Sequence, residues 1–228
     1  MSQIKFKTLT EEERYICNHT ISYTAIFWLI IDHLYNNQPM SIVRFGDGEY
    51  RIIRDSLKYS GKFQAFGDEW NERLGLLDID IKILAKHLVD AGNSCKYLSP
   101  STSGFFYSIY YGWDLFKKRD LYVDIWWYYK IPADQKNLIL SNAKGIAYIY
   151  NDSDWLIQAA RSKNLNQKIE GINMKSYKDI SEVLNFIKNT DCQLIMWAGG
   201  PIGKILGPKI EEMGKIGLDV GSAIKNWA

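Results

Sequence analysis

The segment Arg44-Phe45-Gly46-Asp47-Gly48-Glu49 presents two carboxylates, Asp47 and Glu49, separated by a single glycine at the end of an apolar run. Paired carboxylates suit a hard divalent cation such as Mg²⁺ or Mn²⁺, which prefers oxygen ligands and keeps coordination positions open for substrate phosphates. Gly46 and Gly48 free the backbone to turn and let a ligand come close. The same residues also fit a plain polar turn, with Asp47 bonded to its own backbone and Glu49 starting a helix. Arg44 has two readings as well, a bidentate contact to phosphate or a buried ion pair at a strand end.

A second candidate loop, Gly199-Gly200-Pro201-Ile202-Gly203-Lys204, follows the apolar run 193–198 and opens a helical stretch 205–213. Glycines here allow close backbone approach, Pro201 suits a first helical position, and free amides at a helix start attract an anion. A strand-to-helix turn with no ligand is an equal reading. A third segment, Asp219-Val220-Gly221-Ser222, ends the last apolar run, and taken alone it reads as a strand terminus with a turn residue.

These segments need strands and helices to hold them. Thr10 with Glu13 makes a capping box for one long helix running to about residue 36, where Asn36-Asn37-Gln38-Pro39 breaks it. Residues 40–45 read as a short buried strand and 50–57 as a short helix, while helical periodicity over 68–91 predicts a longer helix before a strand at 95–98. Strands at 145–150, 168–174 and 193–198 alternate with helices at 153–163 and 179–189, which points to parallel βαβ units with helices on both faces of a sheet. In such sheets ligands bind at the carboxyl ends of the strands, where both suspicious loops lie. Between them, residues 105–129 are dense in aromatics, among them Tyr107, Trp113, Trp126 and Trp127. That density suits a core or a subunit interface, and secondarily a stacking surface for a sugar or base.

The chain has 228 residues, 46% apolar and 24% charged, enough for one sizeable core. A net charge of +2, spread along the sequence, argues against a nucleic-acid partner. Cys17, Cys95 and Cys192 are odd in number and far apart, which indicates neither a disulfide framework nor a structural zinc site and fits a reducing, cytoplasmic setting. The N-terminal stretch 1–14 does not resemble a secretory signal. The most apolar run, 21–31, is well short of the roughly 20 residues needed to span a bilayer. It reads as a buried helix, with a shallow contact at the inner face of the membrane as the lesser alternative.

Together, and in this order, the three segments resemble the GT-D type of glycosyltransferase, a bacterial family first catalogued as a domain of unknown function. Its R-[FY]-G-D-G-E segment is matched at every position by residues 44–49, its late G-P-x-x-K-x-L element by Gly200 to Leu206, and its closing D-[IV]-G by Asp219 to Gly221. Gly61 with Phe63-Gln64 is a weaker intermediate match, and Ser222 stands where the family commonly has His. The resemblance implies one α/β domain over 1–228, with an N-terminal helical segment (1–39) and a Rossmann-like, mostly parallel core (40–228). It further implies that Asp47 and Glu49 hold Mn²⁺ or Mg²⁺ and serve catalysis, and that Arg44, Gly46, Gly48, Gln64, Gly199, Gly200, Pro201, Lys204 and Asp219 bind the nucleotide of a donor, most readily a UDP-sugar. The acceptor would be a hydroxyl of a glycan, glycopeptide or lipid-linked sugar, and the chain a candidate homo-oligomer in bacterial glycan biosynthesis. A metal-dependent nucleotide phosphohydrolase, or a non-catalytic nucleotide-binding or assembly module, would use the same residues.

Overall fold

The computed structural model describes residues 11–53, 56, 75–100, 116–163 and 165–228, with Glu11, Glu12, Glu13, Asp47 and Leu77 described by their backbone alone. Eight strands form one sheet: β1 (Thr20–Ile21), β2 (Met40–Phe45), β3 (Tyr97–Pro100), β4 (Tyr122–Val123), β5 (Ile146–Tyr150), β6 (Ile169–Asn173), β7 (Leu194–Trp197) and β8 (Ile216–Asp219). Their order is β1-β4-β3-β2-β8-β7-β5-β6, and every pairing is parallel. The fold is therefore α/β, with β2 and β8 side by side although far apart in the chain.

The central strands are apolar at nearly every position because both faces are covered. In β7, Leu194 and Met196 enter one core while Ile195 and Trp197 enter the other, and β5 divides likewise between Ile146 with Tyr148 and Ala147 with Ile149. The helices are α1 (Glu11–His19), α2 (Tyr23–Tyr35), α3 (Asp47–Ile53), α4 (Ile81–Ser94), α5 (Trp127–Lys130), α6 (Ala133–Asn142), α7 (Ser153–Ser162), α8 (Ile180–Asn189) and α9 (Leu206–Glu212). Residues of α4, α8 and α9 build the core on one face, and residues of α2, α6 and α7 the core on the other. No helix among the described residues is long and apolar enough to cross a membrane.

Several expected elements are redrawn. The single helix expected over 10–36 is two, since Thr20 and Ile21 leave it to pair with Tyr122 and Val123 at the sheet edge. Thr20 Oγ1 donates to the Ile16 carbonyl (2.7 Å) as α1 ends, and Ser22 Oγ accepts the Ala25 N–H (3.4 Å) as α2 begins. The first 39 residues thus contribute a strand to the sheet as well as helices. Within the periodic stretch 68–91, a 3₁₀ turn (Leu76–Asp78) precedes α4, whose start is fixed by Asp80 accepting the Lys82 N–H (2.7 Å). The strand expected over 95–98 is shifted, β3 running from Tyr97 to Pro100. Helix α6, entered through Pro132, has no counterpart in the sequence reading.

Candidate active site

The expected turn between β2 and the next helix has no length of its own. Phe45 ends β2, Gly46 follows, and Asp47 is already the first residue of α3. The Tyr50 N–H donates to the Gly46 carbonyl (3.3 Å), and the Gly46 N–H donates to Glu49 Oε2 (2.8 Å). Glu49 therefore reaches back to cap the helix that carries it, as an acidic residue in the third helical position does. The plain-turn reading is met to that extent, but Glu49 has a second partner.

That partner is Lys204. Its ammonium donates to Asp219 Oδ2 at 2.6 Å and lies 3.4 Å from Glu49 Oε1. All three side chains are buried, with 6%, 7% and 1% of the Lys204, Glu49 and Asp219 side-chain surface exposed. Asp219 Oδ2 also accepts the Arg44 N–H (3.1 Å), tying the carboxyl ends of β2 and β8 together across 175 positions of sequence. Lys204 and Asp219, expected to line a nucleotide pocket directly, are instead the buried link between the first and last motifs. The reason is electrostatic: two carboxylates in a dry site need a cation, and Lys204 supplies it.

The Gly-Gly-Pro loop also differs from an open phosphate cradle. Residues 202–205 form a 3₁₀ turn, and the α-helix proper starts only at Leu206. The Gly203 and Lys204 amides donate to the Gly199 and Pro201 carbonyls (3.0 and 3.3 Å) rather than facing outward. Gly199 is held by packing, since a Cβ there would lie 1.9 Å from Met174 Cε, and Gly200 by its backbone, with φ at 53°. Pro201 reaches across to the first motif, its Cγ 3.8 Å from where a Cβ on Gly48 would stand. The structure thus brings Arg44, Gly46, Gly48, Glu49, Gly199, Gly200, Pro201, Lys204 and Asp219 to one edge of the sheet, with the backbone of Asp47 among them. Gln64, Gly61 and Phe63 lie outside the described residues, as do Tyr107 and Trp113.

Arg44 points to the other face of β2 from Val43 and Phe45. Its guanidinium carbon sits 3.7 Å from the ring centroid of the buried Tyr128. Close to it is Gly221, at φ 49°, where a Cβ would come within 2.3 Å of Arg44 Nη1. The last motif therefore needs glycine both for its left-handed backbone and to make room for the guanidinium. Arg44 forms no ion pair among the described residues, and its Nε is buried without a hydrogen-bond partner there. Among the described residues the ion-pair reading of Arg44 finds no carboxylate partner. Burial pushes the Tyr128 phenol up to about 12 against the opposing pull of Arg44, so it stays a neutral ring under the cation.

Tyr128 is the residue that sequence reading missed in this role, because nothing in its local pattern marks it among so many aromatics. Its neighbour Tyr129 lies half exposed, as does Trp126, with the two rings 6.1 Å apart. The Tyr129 hydroxyl meets Ser222 Oγ at 3.3 Å, next to the closing motif. Trp127, by contrast, is fully buried and packs on Trp227. Of the aromatic segment's described part, Trp126 and Tyr129 remain as surface for stacking, and Trp127 and Tyr128 are core.

Among the described residues no group of three or more His, Cys, Asp or Glu side chains could hold a metal ion. The oxygens at the site are those of Glu49 and Asp219, and Asp219 Oδ1 is buried with no hydrogen-bond partner among the described residues. These two carboxylates stand against two cations, Arg44 and Lys204, and the acidic residue Asp47 is described by its backbone alone.

No family model and no curated protein sequence matches the chain. Among solved structures it is similar to those of domain of unknown function 1792. One of these is described as having a distinct glycosyltransferase fold, with 15% identity over 92% of this chain and 80% of that one and a TM-score of 0.56. Another, described as a new glycosyltransferase from Streptococcus sanguinis, has 16% identity over 89% and 80% of the two chains and a TM-score of 0.57. The structural likeness shows the fold: the chain shares the α/β fold of these structures, described for one of them as a distinct glycosyltransferase fold.

Proposed function

We propose that this chain is a metal-dependent glycosyltransferase that moves a sugar from a nucleotide donor, a UDP-sugar, to an acceptor hydroxyl on a glycan, glycopeptide or lipid-linked sugar. The observation that carries the reading is the convergence of three sequence-distant motifs at the carboxyl ends of β2, β7 and β8, in a sheet of glycosyltransferase fold. Arg44 is the diphosphate contact, a guanidinium without an ion pair among the described residues, lying over the Tyr128 ring and close to Gly221. Lys204 with Asp219 fixes the distance between β2 and β8 and keeps Glu49 in place.

Asp47 and Glu49 would hold Mn²⁺ or Mg²⁺, which supplies charge stabilisation to the departing nucleoside diphosphate. Lys204 has its short contact with Asp219 and only the longer one with Glu49, so Glu49 Oε1 keeps capacity for a ligand. In the transfer, the bond from the anomeric carbon to the diphosphate oxygen breaks, the electron pair leaving with the nucleoside diphosphate, a bond to the acceptor oxygen forms, and the acceptor proton passes to a carboxylate of the Asp47 and Glu49 pair. Trp126 and Tyr129 offer the sugar a stacking face. Three free cysteines support a reducing, cytoplasmic setting.

Calorimetric titration with UDP, with and without Mn²⁺, tests this reading. Binding should require the metal and should weaken at least about tenfold in Arg44→Lys, which keeps charge but loses the planar fork. Equal affinity with and without metal, or in wild type and Arg44→Lys, would count against it.

A further inference from the structure

Away from the strand-end cluster, helices α6 and α7 and the final turn (Gly221–Asn226) enclose an open cavity of about 710 Å³. Two lysines line it. Lys136, on α6, is only 9% exposed, and its ammonium stands 5.4 Å from the ring centroid of Trp227. Lys163, at the end of α7, donates to the Trp227 carbonyl at 3.4 Å. Neither forms an ion pair among the described residues; Lys163 is exposed, but Lys136 is buried, where a long cation is usually matched by a carboxylate. The acid in the wall, Asp134, is exposed and pairs with neither.

No carboxylate among the described residues offsets either charge. Burial lowers the pKa of Lys136, and the charge of Lys163 lowers it further; burial lowers that of Lys163 too. Two like charges in one cavity repel, and an anion between them would relieve both. Asn137, Ser141 and Asn226 bring neutral hydrogen-bonding groups to the same wall. Leu138 and Leu165 add an apolar side, suited to whatever carries the anion.

We propose that Lys136 and Lys163 form a second ligand site, one that takes a phosphate group. It is distinct from the strand-end cluster and does not depend on the transferase reading. The phosphate belongs either to a small soluble phosphate or to a lipid headgroup, and the two sources are separable by experiment.

The test uses the full chain and the variants Lys136→Met, Lys163→Met and Lys136→Arg. Soluble ligand is probed by calorimetry and thermal shift with inorganic phosphate and pyrophosphate. Headgroup binding is probed by flotation with phosphatidylglycerol vesicles against phosphatidylcholine vesicles. Saturable binding in either arm should fall about tenfold or more in each Met variant, the loss expected for one charge-assisted hydrogen bond, and should survive in Lys136→Arg. Lys136→Met should melt no lower than wild type in phosphate-free buffer, because it removes an uncompensated buried charge. UDP binding at the strand ends should be unchanged in it. Absence of binding in both arms, binding indifferent to both Met substitutions, or a sharp loss of stability in phosphate-free Lys136→Met would each overturn the proposal.

Discussion

Lys204→Met is the perturbation that most directly probes how the three motifs are held together. It keeps much of the side chain's length and removes the ammonium that the Glu49 and Asp219 carboxylates share at 3.4 and 2.6 Å. With side-chain exposures of 6%, 7% and 1%, water does little to replace it. Breaking a buried pair by deleting one partner costs about 3–5 kcal/mol, because the remaining charge is left without a partner in low dielectric. For a chain of this size each kcal/mol moves the midpoint by about 2–4 °C, so Lys204→Met should melt about 6–20 °C lower. Differential scanning calorimetry and urea unfolding both read this. The double variant Lys204→Met with Asp219→Asn should recover a large part of the loss, since it removes a carboxylate along with the cation, and a double-mutant cycle should show coupling of at least about 1 kcal/mol. A Lys204→Met protein within about 1 kcal/mol of wild type, or additive effects in the cycle, would refute the inward-facing triad and return Lys204 to the role of a surface phosphate contact.

Gly221→Ala should cost about 1–2 kcal/mol for its left-handed backbone, and its Cβ should displace Arg44 from Tyr128. Nucleotide affinity measured by calorimetry should therefore fall by more than the stability change suggests, and an unaltered affinity would disconnect Arg44 from the ligand. Gly199→Ala should destabilise by about 1–3 kcal/mol in urea unfolding, since its Cβ falls within 1.9 Å of Met174 Cε. His33 is buried, its Nδ1–H facing the Gln38 carbonyl (3.0 Å) and its Nε2 the Tyr97 hydroxyl (3.3 Å), and burial lowers its pKa. The unfolded chain therefore takes up a proton on this group first as pH falls below about 6.5, so stability should drop with acidification between that value and the lowered folded one. His33→Gln should remove this part of the pH dependence, which unfolding curves at about pH 7.5 and 5.5 would show.

Much of this architecture was legible where the signal is local. The run Met40–Phe45 is mostly apolar and ends at glycine, so its reading as a short buried strand follows from pattern alone. The strands around Tyr148 and Met196 are equally plain as short apolar runs, while that around Ile172, with Glu170 and Asn173, is marked by its place between two helical stretches. What escaped depends on partners distant in sequence. Thr20 and Ile21 leave the helix only because Tyr122 and Val123 offer a strand to pair with. Lys204 looked like a phosphate ligand beside its glycines, and it turns inward because β2 and β8 bring Glu49 and Asp219 to it. Arg44 was legible as either a phosphate contact or a buried ion pair, but the ring it lies over belongs to an aromatic segment in which Tyr128 has no local mark. The three motifs meet at the strand ends, and the buried contacts of Lys204 with Glu49 and Asp219 turn those side chains toward one another.

The central claim is metal-dependent sugar transfer at the β2 to α3 junction, and nucleotide release from UDP-sugars tests it most directly. Wild type and Asp47→Asn should be compared with Mn²⁺, with EDTA, and with and without candidate glycan acceptors. Wild type should release UDP slowly in water and much faster with the right acceptor, should stop with EDTA and should recover on adding Mn²⁺. Asp47→Asn, which keeps volume but is a poorer ligand for a hard cation, should lose about 100-fold of that rate while remaining folded. Rapid acceptor-independent cleavage of nucleoside diphosphates would identify a phosphohydrolase instead, and turnover unaffected by EDTA or by Asp47→Asn would contradict the metal site.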